Sequence, residues 1–190
     1  GDGDDSLTGG AGADRLYADG GNDTVKSSGN TADILAGGLG ADAITGLGGA
    51  DTIYGDLTAT TDTTVGGNDT ILAGAGVNFV YAGAGNDAVT SGAAVDKIFG
   101  QNGNDTVISG DGADSLYGGA GNDVLTDADG ASSITGGAGN DSLTGAADAD
   151  TIKGGDGNDT VIGGAAADSL YGDAGDDIIT DLGGASNLIG

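Results

Sequence analysis

The chain has 190 residues, a size that suits one domain, but 44 of them are Gly and all 30 acidic residues are Asp. Pro, Cys, Met, Trp and His are absent, and Arg15, Lys26, Lys97 and Lys153 are the only basic residues, so the formal net charge is −26. This excludes disulfides, thiolate chemistry and a His general base, and it disfavours nucleic acid as a partner; no apolar run is long enough to span a membrane. High charge with few aromatics usually means disorder, yet 37% of the residues are apolar and strictly spaced, which points to order that depends on an added cation.

The chain opens on GDGDDSLT, partway into a nine-residue unit, and closes on LIG after the last apolar position. The clearest copies are GGAGNDVLT (118–126), GGAGNDSLT (136–144) and GGDGNDTVI (154–162). With each unit numbered 1 to 9, position 6 is Asp5, Asp14 and Asp23, then, after one extra residue in SSGNTAD (27–33), Asp33, Asp42 and Asp51. The stretch GDLTATTDT (55–63) breaks the pattern, with Thr60 at position 6 and Asp62 at position 8. From Asp69 the period resumes as Asn78, Asp87, Asp96, Asp105, Asp114, Asp123, Ser132, Asp141, Asp150, Asp159, Asp168, Asp177 and Ser186. Asp fills 17 of 21 registers, and position 8 is Leu, Ile or Val in all but the one that holds Asp62.

Positions 1 to 6 are Gly-rich and suit a tight turn, while positions 7 to 9 suit a short strand whose middle side chain points inward. Three residues cannot form an independent sheet, but stacked units can, each burying its position 8 against its neighbours. Two units make a coil of 18 residues with a strand on each side, which predicts an all-β, flattened parallel solenoid of about ten coils. Residues 1–190 read as one such roll, a piece of a longer repeat protein.

The pattern GGxGxDxUx, in register along nearly the whole chain, resembles the haemolysin-type (RTX) calcium-binding nonapeptide repeat. The resemblance implies a right-handed parallel β-roll with Ca²⁺ between successive turns, held by Asp carboxylates and turn carbonyls. It also implies a secreted protein, typically exported by a type I system, that folds on extracellular calcium. The chemistry agrees independently. Asp side chains one coil apart lie about 4.8 Å apart and repel by ~0.9 kcal/mol even in bulk water, so a whole row calls for counter-ions. Hard oxygen donors without His or Cys select Ca²⁺ over Zn²⁺, and a carbonyl-lined turn fits Mg²⁺ poorly.

With residues 55–63 looped out, the remaining units alternate between two edges. One edge carries Asn or Asp at position 5 in all but one unit, with Asp5, Asp23, Asp42, Asp69, Asp87, Asp105, Asp123, Asp141, Asp159 and Asp177 at position 6. The other carries Ala or Val at position 5, with Asp14, Asp33, Asp51, Asp96, Asp114, Asp150 and Asp168 at position 6, and it contains Asn78, Ser132 and Ser186. These 17 Asp residues are the expected metal ligands. The Asn edge is expected to bind along its nine gaps and the Ala edge at the gaps 14/33, 33/51, 96/114 and 150/168, about 13 Ca²⁺ in all. The insertion before Asp33 marks the weak point of this edge, at the sites that Asp33 shares. Kept in the roll, GDLTATTDT would bury Asp62 unpaired and swap the two edges; looped out, it adds little closure entropy.

Position 9 on one strand face carries Tyr17, Tyr54, Tyr81, Phe99, Tyr117 and Tyr171. Beside the Ala edge, this ladder reads either as rings stacking on one another along the roll or as a surface for self-association through the Ala edge and the Tyr81/Phe99/Tyr117 face. No Lys follows a Gly, so the glycine runs are not phosphate loops. No catalytic constellation emerges, and the chain is expected not to be an enzyme. Leu72, Ile108 and Ile162 interrupt the Thr column that ice binding would need. Two functions remain. One is a structural roll of a secreted or cell-surface protein of surface-layer, filament or adhesin type, favoured by ends without caps. The other is a calcium-triggered folding and secretion module of an exported toxin or enzyme.

Overall fold

The computed structural model describes residues 1–56 and 65–190. Within them every regular element is a strand, and no helix is long and apolar enough to cross a membrane. Positions 7 to 9 of each unit pair in parallel with the same positions one coil on, as in Thr106↔Val124, Val107↔Leu125 and Ile108↔Thr126. Numbered in chain order, the strands alternate between two ten-stranded parallel sheets. Odd strands run from β1 (Ser6–Thr8) to β19 (Ile178–Thr180), and even strands from β2 (Arg15–Gly20) to β20 (Asn187–Ile189). The result is the expected solenoid of ten coils.

The core is the double column of position 8 side chains. From Val25 through Leu35, Ile53, Ile98 and Leu125 to Leu170 these are fully buried, and the end residues Leu7, Leu16 and Ile179 pack partly against them. Branched aliphatic residues suit this place because each meets an equivalent side chain above and below. The pleat turns positions 7 and 9 outward, and there Tyr54, Tyr81, Phe99 and Tyr117 stack face to face with centroids 5.3, 5.0 and 4.9 Å apart.

The two sequence irregularities are absorbed in turns. The extra residue before Asp33 lengthens one coil, so that Arg15 pairs with Ile34, and the hydroxyls of Ser28 and Thr31 tie the turn to the carbonyls of Gly9, Gly10 and Gly12. Across the second irregularity, β5 (Ala43–Thr45) pairs with β7 (Thr70–Gly74) as Ala43↔Thr70, and β6 (Thr52–Tyr54) with β8 (Phe79–Ala84) as Thr52↔Phe79. Each offset is 27 residues, one unit more than the usual 18, and both edges keep their side across it.

The frame of that excess differs by two residues from the expected 55–63. Gly55 stays in the coil: its N–H donates to the Tyr81 carbonyl and its own carbonyl accepts from Gly38 N–H, both at 2.8 Å. A Cβ on Gly55 would strike Asp69 Oδ2, just as one on Gly118 would strike Asp123 Oδ2, so Gly55 occupies position 1 of the unit that contains Asp69. Asp56 follows at position 2, and its carboxylate accepts from Ala84 N–H at 2.5 Å and from Gly67 N–H. It takes the place that a backbone carbonyl fills in other coils and ties Gly67 to Ala84. Thr60 and Asp62 lie outside the described residues.

Candidate metal-binding edges

From the second coil on, the repeat Asp residues use their two carboxylate oxygens differently. Oδ1 accepts the N–H of the position 6 residue one coil earlier: Asp87 N–H to Asp105 Oδ1 and Asp105 N–H to Asp123 Oδ1, each at 2.8 Å. Where position 1 of the unit is Gly, as at Gly100, Gly118 and Gly136, Oδ2 turns toward it and fills the room a Cβ would take. Buried Oδ2 atoms without a hydrogen-bond partner occur at Asp14, Asp23, Asp33, Asp42, Asp51, Asp69, Asp87, Asp96, Asp105, Asp114, Asp123, Asp141, Asp159, Asp168 and Asp177. Of the expected ligands only Asp5 and Asp150 fall outside this set; Asp150 Oδ2 accepts from Ala146 N–H at 3.1 Å.

A charged oxygen in such a place is costly. Burial pushes the Asp69 carboxyl up to about 8, against the offsetting N–H bond from Asp42, and the negative charges of Asp87, Asp42 and Asp56 push the same way. Asp87 rises to about 7, and Asp42, Asp51, Asp105, Asp123, Asp141 and Asp150 to about 6, with burial the largest cause in each. The columns therefore need protons or cations at neutral pH. The donors are all hard oxygens, which suits Ca²⁺. No three carboxylates gather at one point among the described residues. A cation here would be held between the Asp residues of successive coils, with the rest of its six to eight oxygens from backbone and water.

The turns themselves need glycine where coils approach most closely. Gly103 and Gly121 at position 4 have φ of 127° and 130°, and a Cβ on either would strike the carbonyl oxygen of the equivalent Gly one coil earlier.

Position 5 gives the Asn edge a second ladder, running the other way. Asn104 N–H donates to Asn86 Oδ1 at 2.8 Å, and Asn122 N–H donates to Asn104 Oδ1 at 2.6 Å. Sequence reasoning treated these side chains as a mark of the edge and missed this role. The signal was there: an amide carries an acceptor that Ala and Val lack.

The Ala edge keeps the first ladder through all three of its exceptions. Asp51 N–H donates to Asn78 Oδ1 at 3.0 Å, and Asp114 and Asp168 N–H donate to the Ser132 and Ser186 hydroxyls, each at 2.9 Å. Position 6 thus requires an acceptor, while its charge is dispensable in places. Asp33, the suspected weak point, is buried and joined in sequence to Asp14 and Asp51.

One further carboxylate lies in this edge outside the repeat register. Asp127, at position 1, is 3% exposed, and its Oδ1 accepts from Ser109 Oγ at 2.8 Å and from Ser132 Oγ at 3.1 Å.

A family model described as the RTX calcium-binding nonapeptide repeat matches residues 1–25, 27–59, 63–98, 90–125, 117–152, 126–161 and 153–180. No curated protein matches the chain.

Proposed function

Because the chain belongs to the RTX calcium-binding nonapeptide-repeat family, we propose that it is a calcium-rigidified roll of a secreted or cell-surface structural protein, of surface-layer, filament or adhesin type, that folds on meeting extracellular Ca²⁺. The observation that carries this reading is the pair of Asp columns, each with a run of buried, unpaired Oδ2 atoms. In a calcium-poor compartment these columns repel and the chain stays open. At millimolar calcium the ions neutralise both edges, and the position 8 side chains stack.

Calcium supplies charge neutralisation and cross-links coils; the chain's residues supply the register. The 17 repeat Asp residues, with Asn edge and Ala edge filled as their spacing implies, would take about 13 ions. Two uninterrupted ten-stranded sheets favour a load-bearing or spacing role. Self-association has its own support: the position 5 column of the Ala edge, including Val77 and Val95, is exposed. The alternative, a folding and secretion module of an exported toxin or enzyme, uses the same calcium chemistry.

Circular dichroism with and without EDTA, then particle imaging in millimolar calcium, tests the proposal. Calcium-dependent β-structure with filaments or lattices is the expected result. Structure retained in EDTA at pH 8 overturns the calcium mechanism, and calcium-folded monomers without assembly favour the secretion module.

A further inference from the structure

Where position 1 is Gly, positions 1 and 6 share one volume at the edge of the roll, and the only side chains that sit beside a position 6 Asp at position 1 in the regular units are small ones such as Ala82, Ser91 and Ser109. A Cβ on Gly118 or Gly136 would run into Oδ2 of Asp123 or Asp141, five residues on. The unit 127–135 reverses this arrangement: position 6 is the short Ser132 and position 1 is Asp127. The Ser132 hydroxyl keeps the ladder, accepting from Asp114 N–H at 2.9 Å, while Ser132 N–H donates to Asp150 Oδ1 at 2.8 Å. The charge has moved to the other side of the shared volume.

Asp127 is built into that place. It is 97% buried by its 3% exposure, Oδ1 is held by two hydroxyls, and Oδ2 is buried with no hydrogen-bond partner. The charge of Asp114 in the coil before acts on Asp127, and that of Asp127 acts on Asp150 in the coil after, the two carboxylates that an Asp at position 6 would face. The same exchange recurs in sequence at Asp181 and Ser186 in the last coil. The third exception differs: Asn78 is preceded at position 1 by Ala73, fully buried and neutral. In sequence the Ala edge therefore holds two relocated carboxylates, Asp127 and Asp181, and one real loss, at Asn78.

We propose that Asp127 is a calcium ligand of the Ala edge, replacing the repeat carboxylate absent at Ser132, so that this stretch of the edge binds a hard divalent cation while the stretch around Asn78 does not. The inference rests on the calcium reading above and assigns it to a position outside the repeat motif. An unpaired buried oxygen beside the carboxylates of neighbouring coils is the donor set a calcium ion takes, and Asp127 brings it back where the repeat lost it.

The test counts calcium bound per folded chain by equilibrium dialysis and elemental analysis, with circular dichroism on each sample. Asp127→Asn keeps the volume and removes the charge; it should lose at least one calcium. The double variant Asp127→Gly/Ser132→Asp restores the usual arrangement; it should bind as many ions as the unaltered chain. An unchanged count in Asp127→Asn overturns the proposal. So does a higher count in the double variant, which would mean that Asp127 had supplied no site. The double variant decides even where Asp127→Asn does not fold. An unaltered chain that binds no calcium fails the broader reading before any variant is made.

Discussion

The two edges of the roll begin from the same unit and end with different degrees of order. On the Asn edge the even strands carry their ladder into positions 1 to 3 of the turn, pairing Gln101 with Gly119 and Asn102 with Ala120, before two opposed side-chain ladders take over at positions 5 and 6. On the Ala edge the odd strands stop after position 9, as at Thr126, except β7 (Thr70–Gly74) and β9 (Ala88–Ser91), and the turn retains the position 6 ladder with isolated pairs such as Asp111 with Asp129. The Asn edge is fixed by main chain, by the amide ladder and by the position 6 ladder. The Ala edge lacks the amide ladder and keeps fewer main-chain bonds, such as Ser109 N–H to the Thr126 carbonyl, and there the sequence departs from the repeat: Asn78, Ser132 and Ser186 all lie on it. Redundant restraint keeps a turn uniform enough for one residue pattern, while a turn with fewer restraints admits substitutions that keep the acceptor.

The largest test of this contrast removes all cations at once. In EDTA the folded carboxyls titrate well above the ordinary Asp value, from about 6 up to about 8 at Asp69, with Asp87 about 7. The folded state therefore holds more protons than the unfolded one between about pH 4 and 8, and stability falls as pH rises through that window. β-Structure in EDTA, followed by circular dichroism, should be greatest near pH 4 and be lost toward pH 8, while calcium should sustain it at pH 8. A β signal in EDTA that grows with pH would refute the account of the buried columns. The Asp69 and Asp87 stretch of the Asn edge should open first, since its carboxyls are raised most.

A smaller test compares single carboxylates. Asp105 has an Asp on both neighbouring coils, at Asp87 and Asp123, whereas Asp96 has Asn78 on one side and Asp114 on the other. Asp→Asn keeps the ladder acceptor, as Asn78 demonstrates, and deletes the charge. A site lost where calcium stands at a hundred times its dissociation constant costs about 2.7 kcal/mol. Asp105→Asn breaks two Asp pairs and should destabilise about twice as much as Asp96→Asn, which breaks one; thermal melts at fixed calcium read the difference. Equal losses would mean that the edges hold cations alike.

How much of this could be read from the chain depends on what a repeat reveals. The position 8 core, the alternation of edges and the nine-residue excess all follow from a period, since a residue that recurs every 18 positions must stack on itself. A period does not show which positions within a unit share a volume. Gly118 and Asp123 look independent in sequence, and only the turn brings a Cβ on the one against Oδ2 of the other. Asp127 and Ser132 therefore read as two unrelated departures, and Asp56 as part of a loop. The Asn side chains were legible as a pattern, but their direction of hydrogen bonding needed the opposed course of the two ladders.

The amide ladder gives the next effect in size. Asn104→Ala leaves Asn122 N–H without its acceptor at an exposed turn, and the Ala edge shows that the turn still forms when position 5 is Ala or Val. The cost should be near ~1 kcal/mol, the net worth of one hydrogen bond. Calcium stoichiometry should stay unchanged, because the amide registers the turn rather than holding the ion. A lost ion on Asn104→Ala would make Asn a ligand and erase this distinction between the edges.

The smallest effect has the opposite sign. Position 4 is Gly throughout the Asn edge, whereas on the Ala edge Ala94 takes it with φ of 134°, outside the range an L side chain adopts readily. The position 6 ladder continues past this residue, from Asn78 to Asp96 to Asp114. Ala94→Gly removes the Cβ from the strained position and should stabilise the roll by about 1 kcal/mol, the lower end of what such a residue stores. Part of the gain is offset by the greater freedom of Gly in the unfolded chain. A midpoint raised by a few degrees with calcium number unchanged would place the Ala edge's weakness in its backbone. A lowered midpoint would mean that Ala94 packs favourably in the exposed apolar column, and that the edge is shaped for a contact.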